Sequence, residues 1–373
     1  MTDLTWAQVH AWRLSRHHLT ERAPHAQALA VVEEICGLHA QMMSAAELAL
    51  WARVADVTPD DVREALWTRR ALVKTWAMRG TLHLLTAEMF PVYVAAARSR
   101  AHYRKPSWLK YHGVTLAEIE AIIDAVPVVL DGRCLTREEL ADEIARVLQA
   151  PHVGELLRSG WGALLKPAAF HGYLCFGPSQ GQAVTFVRPD QWLGGLRTVD
   201  PDQAQQDVLR HYLTAYGPAT REEFERWWAM EPRDAKRVFA GLAGELAAVT
   251  VEGRPAVALA ATVDALAALP EPSGVRLLPN FDPYVVALAR ESAYLLPDGC
   301  KDRVYRTAGW ISPVVLVAGR IAGVWEYEKQ RGRIQVTVEP FAPLSAEVQR
   351  GIAAEVERLG AFLGAPAEVT IAA

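Results

Sequence analysis

Thr136-Arg137-Glu138-Glu139-Leu140 returns further along the chain as Thr220-Arg221-Glu222-Glu223-Phe224. In both copies the Thr-x-x-Glu spacing is that of a capping box. The Thr oxygen accepts a bond from the amide three residues on, and the Glu carboxylate reaches back to the Thr amide. The surroundings repeat as well. Upstream of the first copy, a helix over 116–130 ends near Asp131-Gly132; upstream of the second, a helix over 205–216 ends at Gly217-Pro218. Downstream, each copy is followed by another helix (153–165, 234–241) and then by two strands about a Gly-bearing turn. These are 172–176 and 184–187 about Gly177-Pro178-Ser179-Gln180-Gly181, and 246–251 and 256–259 about Glu252-Gly253-Arg254-Pro255. Helices closed by a β-hairpin are the plan of a winged helix, and its recurrence argues for internal repetition.

The first hundred residues follow the same plan. Helices are expected over 5–19, 26–36, 44–54 and 58–68, the last opened by Thr58-Pro59-Asp60-Asp61, which sets a cap, a Pro at the first helical position and acid in the first turn. Strands over 71–78 and 81–85 flank Arg79-Gly80. After a small helix over 260–269, Pro270-Glu271-Pro272-Ser273-Gly274 marks a boundary, and the reading turns to strands at 275–278, 284–288, 314–317, 321–325 and 334–338. A turn at Val317-Ala318-Gly319-Arg320-Ile321 joins two of them, and a helix over 345–363 closes the chain. The expected fold is α+β and mainly helical: three tandem winged-helix motifs at 1–110, 111–200 and 201–272, then a small β-barrel or curled sheet at 273–373.

The 373-residue chain is 51% hydrophobic and 22% charged, an ordinary globular composition with room for several modules. No apolar run reaches the roughly eighteen residues a membrane helix needs, and Met1-Thr2-Asp3-Leu4-Thr5 does not read as a signal peptide, so a cytoplasmic protein with no membrane partner is expected. Cys36, Cys134, Cys175 and Cys300 are scattered, and His17-His18 lacks companion ligands, so neither disulfide, metal nor cofactor is indicated. A net charge of −4 does not point to nucleic acid. A DNA binder of this composition must gather its cations on one face. The clusters available are Arg13, Arg16, His17 and His18; Arg69, Arg70, Lys74 and Arg79; Arg98, Arg100, Arg104, Lys105 and Lys110; and Lys329, Arg331 and Arg333. Each alone reads as a solvated face.

One segment stands out for chemistry: Gly37-Leu38-His39-Ala40-Gln41-Met42-Met43-Ser44. Gly37 is a stop for the preceding helix, and Ser44-Ala45-Ala46-Glu47 has the capping-box form for the next. On a continuing helix, residues two apart point roughly 200° apart, whereas an extended backbone puts them on one side. A break between helices therefore lets His39 and Gln41 face one point. The bland alternative is a partly buried interhelix histidine beside a turn-forming glutamine.

Leu38-His39-Ala40-Gln41 followed by Ser44-Ala45-Ala46-Glu47-Leu48-Ala49-Leu50-Trp51-Ala52-Arg53 resembles the signature of the AlkZ-like, tandem winged-helix DNA glycosylases. Those carry Gln-apolar-Gln or Gln-apolar-Asp at this place; His at the first position matches the His-apolar-Gln, AlkX-like branch. Further landmarks run in the same order: Arg79-Gly80-Thr81-Leu82-His83, Phe176-Gly177-Pro178, Leu278-Pro279-Asn280-Phe281-Asp282-Pro283-Tyr284, and 315–325. The resemblance implies a C-shaped monomer. It also implies monofunctional hydrolysis of the N-glycosidic bond of N7-alkylated purines in double-stranded DNA, interstrand crosslinks included. N7-alkylation makes the base cationic and a good leaving group, so what remains is to stabilise an oxocarbenium-like sugar and present a water. His39 is expected to take a proton from that water, since an unperturbed imidazole titrates near about 6.5, and Gln41 to orient it. Activity is then expected to rise with pH through the histidine range, because a cationic imidazole repels a cationic lesion.

Other residues have a second reading. Arg79 and His83 either face DNA from the first wing or structure the hairpin. Asp282 is either a third polar group near the site or a turn cap. Gln180, in its hairpin loop, and Lys329, Arg331 and Arg333 are candidates for groove and phosphate contact, with Arg98, Arg100, Arg104 and Lys105. Tyr284 and Trp227-Trp228 read as core. The competing function is a non-catalytic winged-helix regulator or a toxin-sensing relative, since such folds are commonly binding modules.

Overall fold

The structure is a computed structural model that describes residues 2–159, 162–287 and 294–372. Gly160 and Trp161, which fall within an expected helix, and Leu288, which falls within an expected strand, lie outside the described residues. The chain forms two compact units. The first comprises Met1–Val62, Leu209–Trp227 and Glu231–Ala373; the second comprises Arg63–Val208 and Trp228–Met230.

In the second unit the Thr136 signal does what its spacing requires. Thr136 Oγ1 accepts from the Glu139 amide at 3.3 Å and the Glu139 carboxylate accepts from the Thr136 amide at 2.8 Å, opening the helix Arg137–Leu148. Thr115 and Glu118 cap the preceding helix Leu116–Val129 in the same way. The helix expected over 153–165 is instead two pieces, Pro151–Arg158 and Lys166–Phe170. Gly162, at φ 74°, stands in the gap in a conformation that does not continue a helix. The hairpin pairs Cys175–Gln180 with Ala183–Val187, and Leu135–Thr136 adds a third strand beside the latter. Its turn is shorter than expected because pairing persists, after an irregularity, to Gln180 opposite Ala183. Phe176 and Phe186 face each other across the hairpin, and Trp76 packs on them at 4.9 and 6.1 Å. Trp76 ends the strand Leu72–Trp76, which pairs with Leu82–Thr86 as the Arg79-Gly80 signal predicts.

In the first unit the second Thr-x-x-Glu signal forms the same reciprocal pair at 2.8 and 3.1 Å, opening Arg221–Trp228. The helix Pro232–Gly241 and the hairpin Leu246–Val251/Arg254–Leu259 follow. Thr2–Leu4, an unexpected strand, runs parallel to the first strand of that hairpin and buries Leu4 with Val9, Val249 and Val251. Beyond Gly274 lies a five-stranded sheet of Val275–Leu278, Val314–Val317, Arg320–Gln330, Arg333–Pro340 and Ala367–Ile371, in chain order. The sheet is open among the described residues, which corrects the barrel expectation: its outer strands, Val275–Leu278 and Ala367–Ile371, do not pair with each other. The helix Ala346–Leu363 covers it.

A second correction concerns 284–288. Residues Pro283–Ala287 form a short helix, not a strand. The run of apolar residues suits either state, and what decides is Pro283 at the first helical position with the Asp282 carboxylate accepting from the Tyr284 amide at 2.9 Å.

Candidate active site

The helix Ala28–Glu34 ends at Ile35, whose carbonyl accepts a bond from the Tyr216 hydroxyl at 2.9 Å. Cys36 and Gly37 then take left-handed conformations, φ 65° and 91°. Leu38–His39 is extended, Gln41-Met42 bends, and the helix Met43–Trp51 begins. The break is where the sequence places it, but the new helix starts earlier than Ser44. Met42 is its cap, no side-chain cap bond is made, and Glu47 is turned inward at 8% exposure. The expected Ser44/Glu47 capping box is therefore absent. Ser-x-x-Glu also occurs inside a helix whose first turn is already formed, and here Glu47 is buried within the helix Met43–Trp51.

His39 is 6% exposed, and Gln41 is exposed. The imidazole is covered on one face by Phe281, ring centroids 5.0 Å apart and planes 15° from parallel. Phe281 holds φ 56°, a conformation that costs an aromatic residue about 1–2 kcal/mol. The next residue explains why it persists. Asp282, fully buried, makes a bidentate ion pair with Arg53 at 2.7 and 2.7 Å, and Arg53 is itself fully buried two residues past the Met43–Trp51 helix, bonded to the Ala49 carbonyl at 2.8 Å. Asp282 thus acts as turn cap and anchor, its two oxygens engaged by Arg53 and the Tyr284 amide. Tyr284 is buried, as are Trp227 and Trp228.

The basic residues divide by environment. Arg13 is buried, donating to the carbonyls of Tyr216 and Pro218 at 2.8 Å each, and His17 is fully buried against Tyr216 and Tyr284. In the second unit Arg100 donates to the carbonyls of Ala77 and Trp228 at 2.6 Å each, with its guanidinium over Phe170 and Trp228. Burial and then the neighbouring Arg79 lower its pKa to about 9. Arg79 is half-buried at the hairpin tip, and His83 is buried with Nδ1 3.0 Å from the Thr81 carbonyl. Arg98, Arg104 and Lys105 are exposed, Arg104 within 3.0 Å of Glu120. Their field is visible in nearby histidines. Burial and then Arg98 and Arg104 lower His171; burial and then Arg100, Lys166 and Lys105 lower His102. Gln180 is exposed at the end of its strand. In the first unit Lys329, Arg331 and Arg333 are exposed about the Gly332 turn, Arg333 lying 3.8 Å from Glu368.

The family described as DNA glycosylase AlkZ-like matches residues 32–362, starting just before the His39 segment and taking in four of the five strands of the sheet. The chain belongs to that family. A curated relative from Streptomyces sahachiroi, named an interstrand DNA cross-link repair glycosylase, is 38% identical over 342 residues, 90% of this chain and 91% of its own length. The solved structure of the Streptomyces sahachiroi DNA glycosylase AlkZ superposes with a TM-score of 0.91 at 36% identity, covering 99% of this chain and all of that one.

Within this AlkZ-like chain, two contributors to the His39 surroundings went unnoticed in the sequence. Arg53 reads there as the end of a helix, and Phe281 as part of a landmark without a role. Trp310, 41% exposed, makes an edge contact with Phe281 at 5.1 Å between ring centroids. It also lines a cavity of about 820 Å³ bounded by Leu48, Asn280, Arg306, Tyr327 and Thr337. Neither His39 nor Gln41 lines that cavity.

Proposed function

We propose that this chain is a monofunctional DNA glycosylase that hydrolyses the N-glycosidic bond of N7-alkylated purines in double-stranded DNA, unhooking interstrand crosslinks where the purine is tied to the opposite strand. It works as a monomer without cofactor. Family membership and the name of the 38% identical relative support the reaction class. The observation that carries the mechanism is the break between helices, where an extended His39 backed by Phe281 is followed by an exposed Gln41.

In this reading the cationic N7-alkylpurine leaves from C1′ with the bonding electron pair, which neutralises its charge, so no acid is needed. A water attacks C1′ and gives a proton to the His39 imidazole, while the Gln41 carboxamide orients that water. Phe281 fixes the plane of the imidazole. Arg98, Arg104, Lys105 and Gln180 in the second unit, and Lys329, Arg331 and Arg333 in the first, are assigned to the phosphates; Arg79 lies at the tip of the first hairpin. Arg100 and His83 hold that unit's loops instead, since both are bonded to its carbonyls. Helix, helix and hairpin in repeated order support winged helices at 1–110, 111–200 and 201–272, with 273–373 as the sheet module.

The test is release of N7-methylguanine from alkylated duplex DNA. The proposal expects free base and an alkali-labile abasic site. A sequence-specific footprint on undamaged DNA with no base release would favour a regulator.

A further inference from the structure

We propose that the cavity beside Trp310 is a subsite for the body of a bulky N7 adduct, the part of the alkylating agent that extends beyond the purine. This rests on the glycosylase reading above and deepens it.

Three observations converge. The first is connection to the His39 segment. Trp310 packs on Phe281 at 5.1 Å and Phe281 on His39 at 5.0 Å, so the cavity wall is two ring contacts from the imidazole. Leu48, on the helix that begins just after Gln41, lines the same cavity. The second is size. About 820 Å³ lies in the range of sites that hold a drug-sized molecule, whereas a methyl substituent needs no cavity at all. The third is chemistry. An indole 41% exposed offers a stacking face, Tyr327 adds a phenol, and Asn280 supplies a carboxamide held by donation from its Nδ2 to the Ile311 carbonyl at 3.2 Å. The charged residues of the lining are of both signs: Arg303, paired with Glu339 at 3.0 Å, and Arg306 stand beside Asp302 and Glu326, so the wall carries no net positive field and its preference rests on the aromatic surface. An aromatic wall with a few polar groups at one place matches an aryl-bearing adduct better than an unmodified base.

The loop carrying Trp310 is built to hold the indole outward. Ala308 and Gly309 take φ 56° and 77°, the Trp310 amide donates to Thr307 O at 3.2 Å, and the Arg306 amide donates to Trp310 O at 2.8 Å.

The experiment compares single-turnover release from two duplexes, one carrying N7-methylguanine and one carrying N7-(naphthylmethyl)guanine, by wild type, Trp310→Ala, Trp310→Phe and Thr337→Phe. Trp310→Ala is expected to lower the ratio of the bulky to the methyl rate about tenfold, the size of one lost stacking surface. Trp310→Phe should restore most of the ratio. Thr337→Phe, which fills the cavity from the sheet side at a strand position that accepts an aromatic residue, should lower it independently of any effect on the indole. An unchanged ratio in both Trp310→Ala and Thr337→Phe overturns the subsite while leaving the glycosylase reading intact. Failure of the wild type to release either base overturns the glycosylase reading, and the subsite with it.

Discussion

The rings of His39 and Phe281 lie face to face, 5.0 Å between centroids and 15° from parallel, and Phe281 reaches that position with a left-handed backbone. The strain is sustained by the next residue, whose carboxylate is clamped by Arg53. One end of the His39 segment's own helix thus holds the residue that covers His39.

Shortening Phe281 should therefore harm catalysis more than folding. Phe281→Leu removes a stack of about 0.5–1.5 kcal/mol, but misplacement of a catalytic group by about 1 Å costs up to about a hundredfold in rate. Single-turnover excision is expected to fall about 10- to 100-fold with thermal melting lowered by only a few degrees. Phe281→Tyr, which keeps the stack, should stay near wild type. Equal loss in both variants would mean the ring plane is irrelevant.

The Arg53–Asp282 pair is fully buried, so breaking half of it leaves an uncompensated charge. Asp282→Asn should destabilise by about 3–5 kcal/mol in denaturant unfolding. The double change Arg53→Met, Asp282→Leu should recover much of that loss, because desolvating two charges offsets most of their attraction. A double variant as unstable as the single one would show that the cap on Tyr284, not the ion pair, is what matters.

How much of this was legible in sequence follows from how local each cause is. The Thr136/Glu139 and Thr220/Glu223 boxes involve partners three residues apart, and both formed as read. The Ser44/Glu47 pattern has the same letters, yet its helix begins at Met43 and Glu47 turns inward, a choice made by tertiary packing. Strands Thr2–Leu4 and Ala367–Ile371 were missed because each is short and paired in parallel with a strand whose register no turn announces. Arg53 and Asp282 are 229 positions apart, so no window of sequence could join them. The His39–Gln41 break was legible because Gly37 stops a helix locally, whereas a left-handed Phe281 has no local signal.

Acid should weaken the fold before carboxylates begin to protonate. His10, buried between the Tyr284 hydroxyl at 3.3 Å and the Tyr294 carbonyl at 3.0 Å, has its pKa lowered to about 4, by burial first and then by Arg13. Burial and then Arg53 and Arg13 hold His17 well below the ordinary value. Both bind a proton more readily when unfolded, so stability is full above the unfolded pKa near about 6.5 and falls as pH drops toward the folded value. Urea unfolding at pH 7 and pH 5 should show a loss of up to about 2 kcal/mol per histidine. His10→Gln should remove about half of that dependence. A pH-independent midpoint across this window would contradict the burial of both rings as neutral groups.

Phosphate contact by the exposed cations should appear in salt dependence. Reversing Lys105 or Arg98 singly should weaken binding to any duplex to a similar degree and lower the slope of log affinity against log salt by about one. Arg100→Lys should act mainly on stability, since its guanidinium is bonded to the Ala77 and Trp228 carbonyls. A larger salt-slope change for Arg100→Lys than for the Lys105 reversal would reverse that assignment.

The most direct measurement is single-turnover release of N7-methylguanine from a duplex by wild type beside His39→Ala and Gln41→Ala, with melting temperature and DNA affinity measured on the same preparations. The account predicts a loss of about a hundredfold or more for His39→Ala, the usual range for a general base, and a clear but smaller loss for Gln41→Ala, with folding and affinity kept. Excision by His39→Ala at the wild-type rate would contradict it.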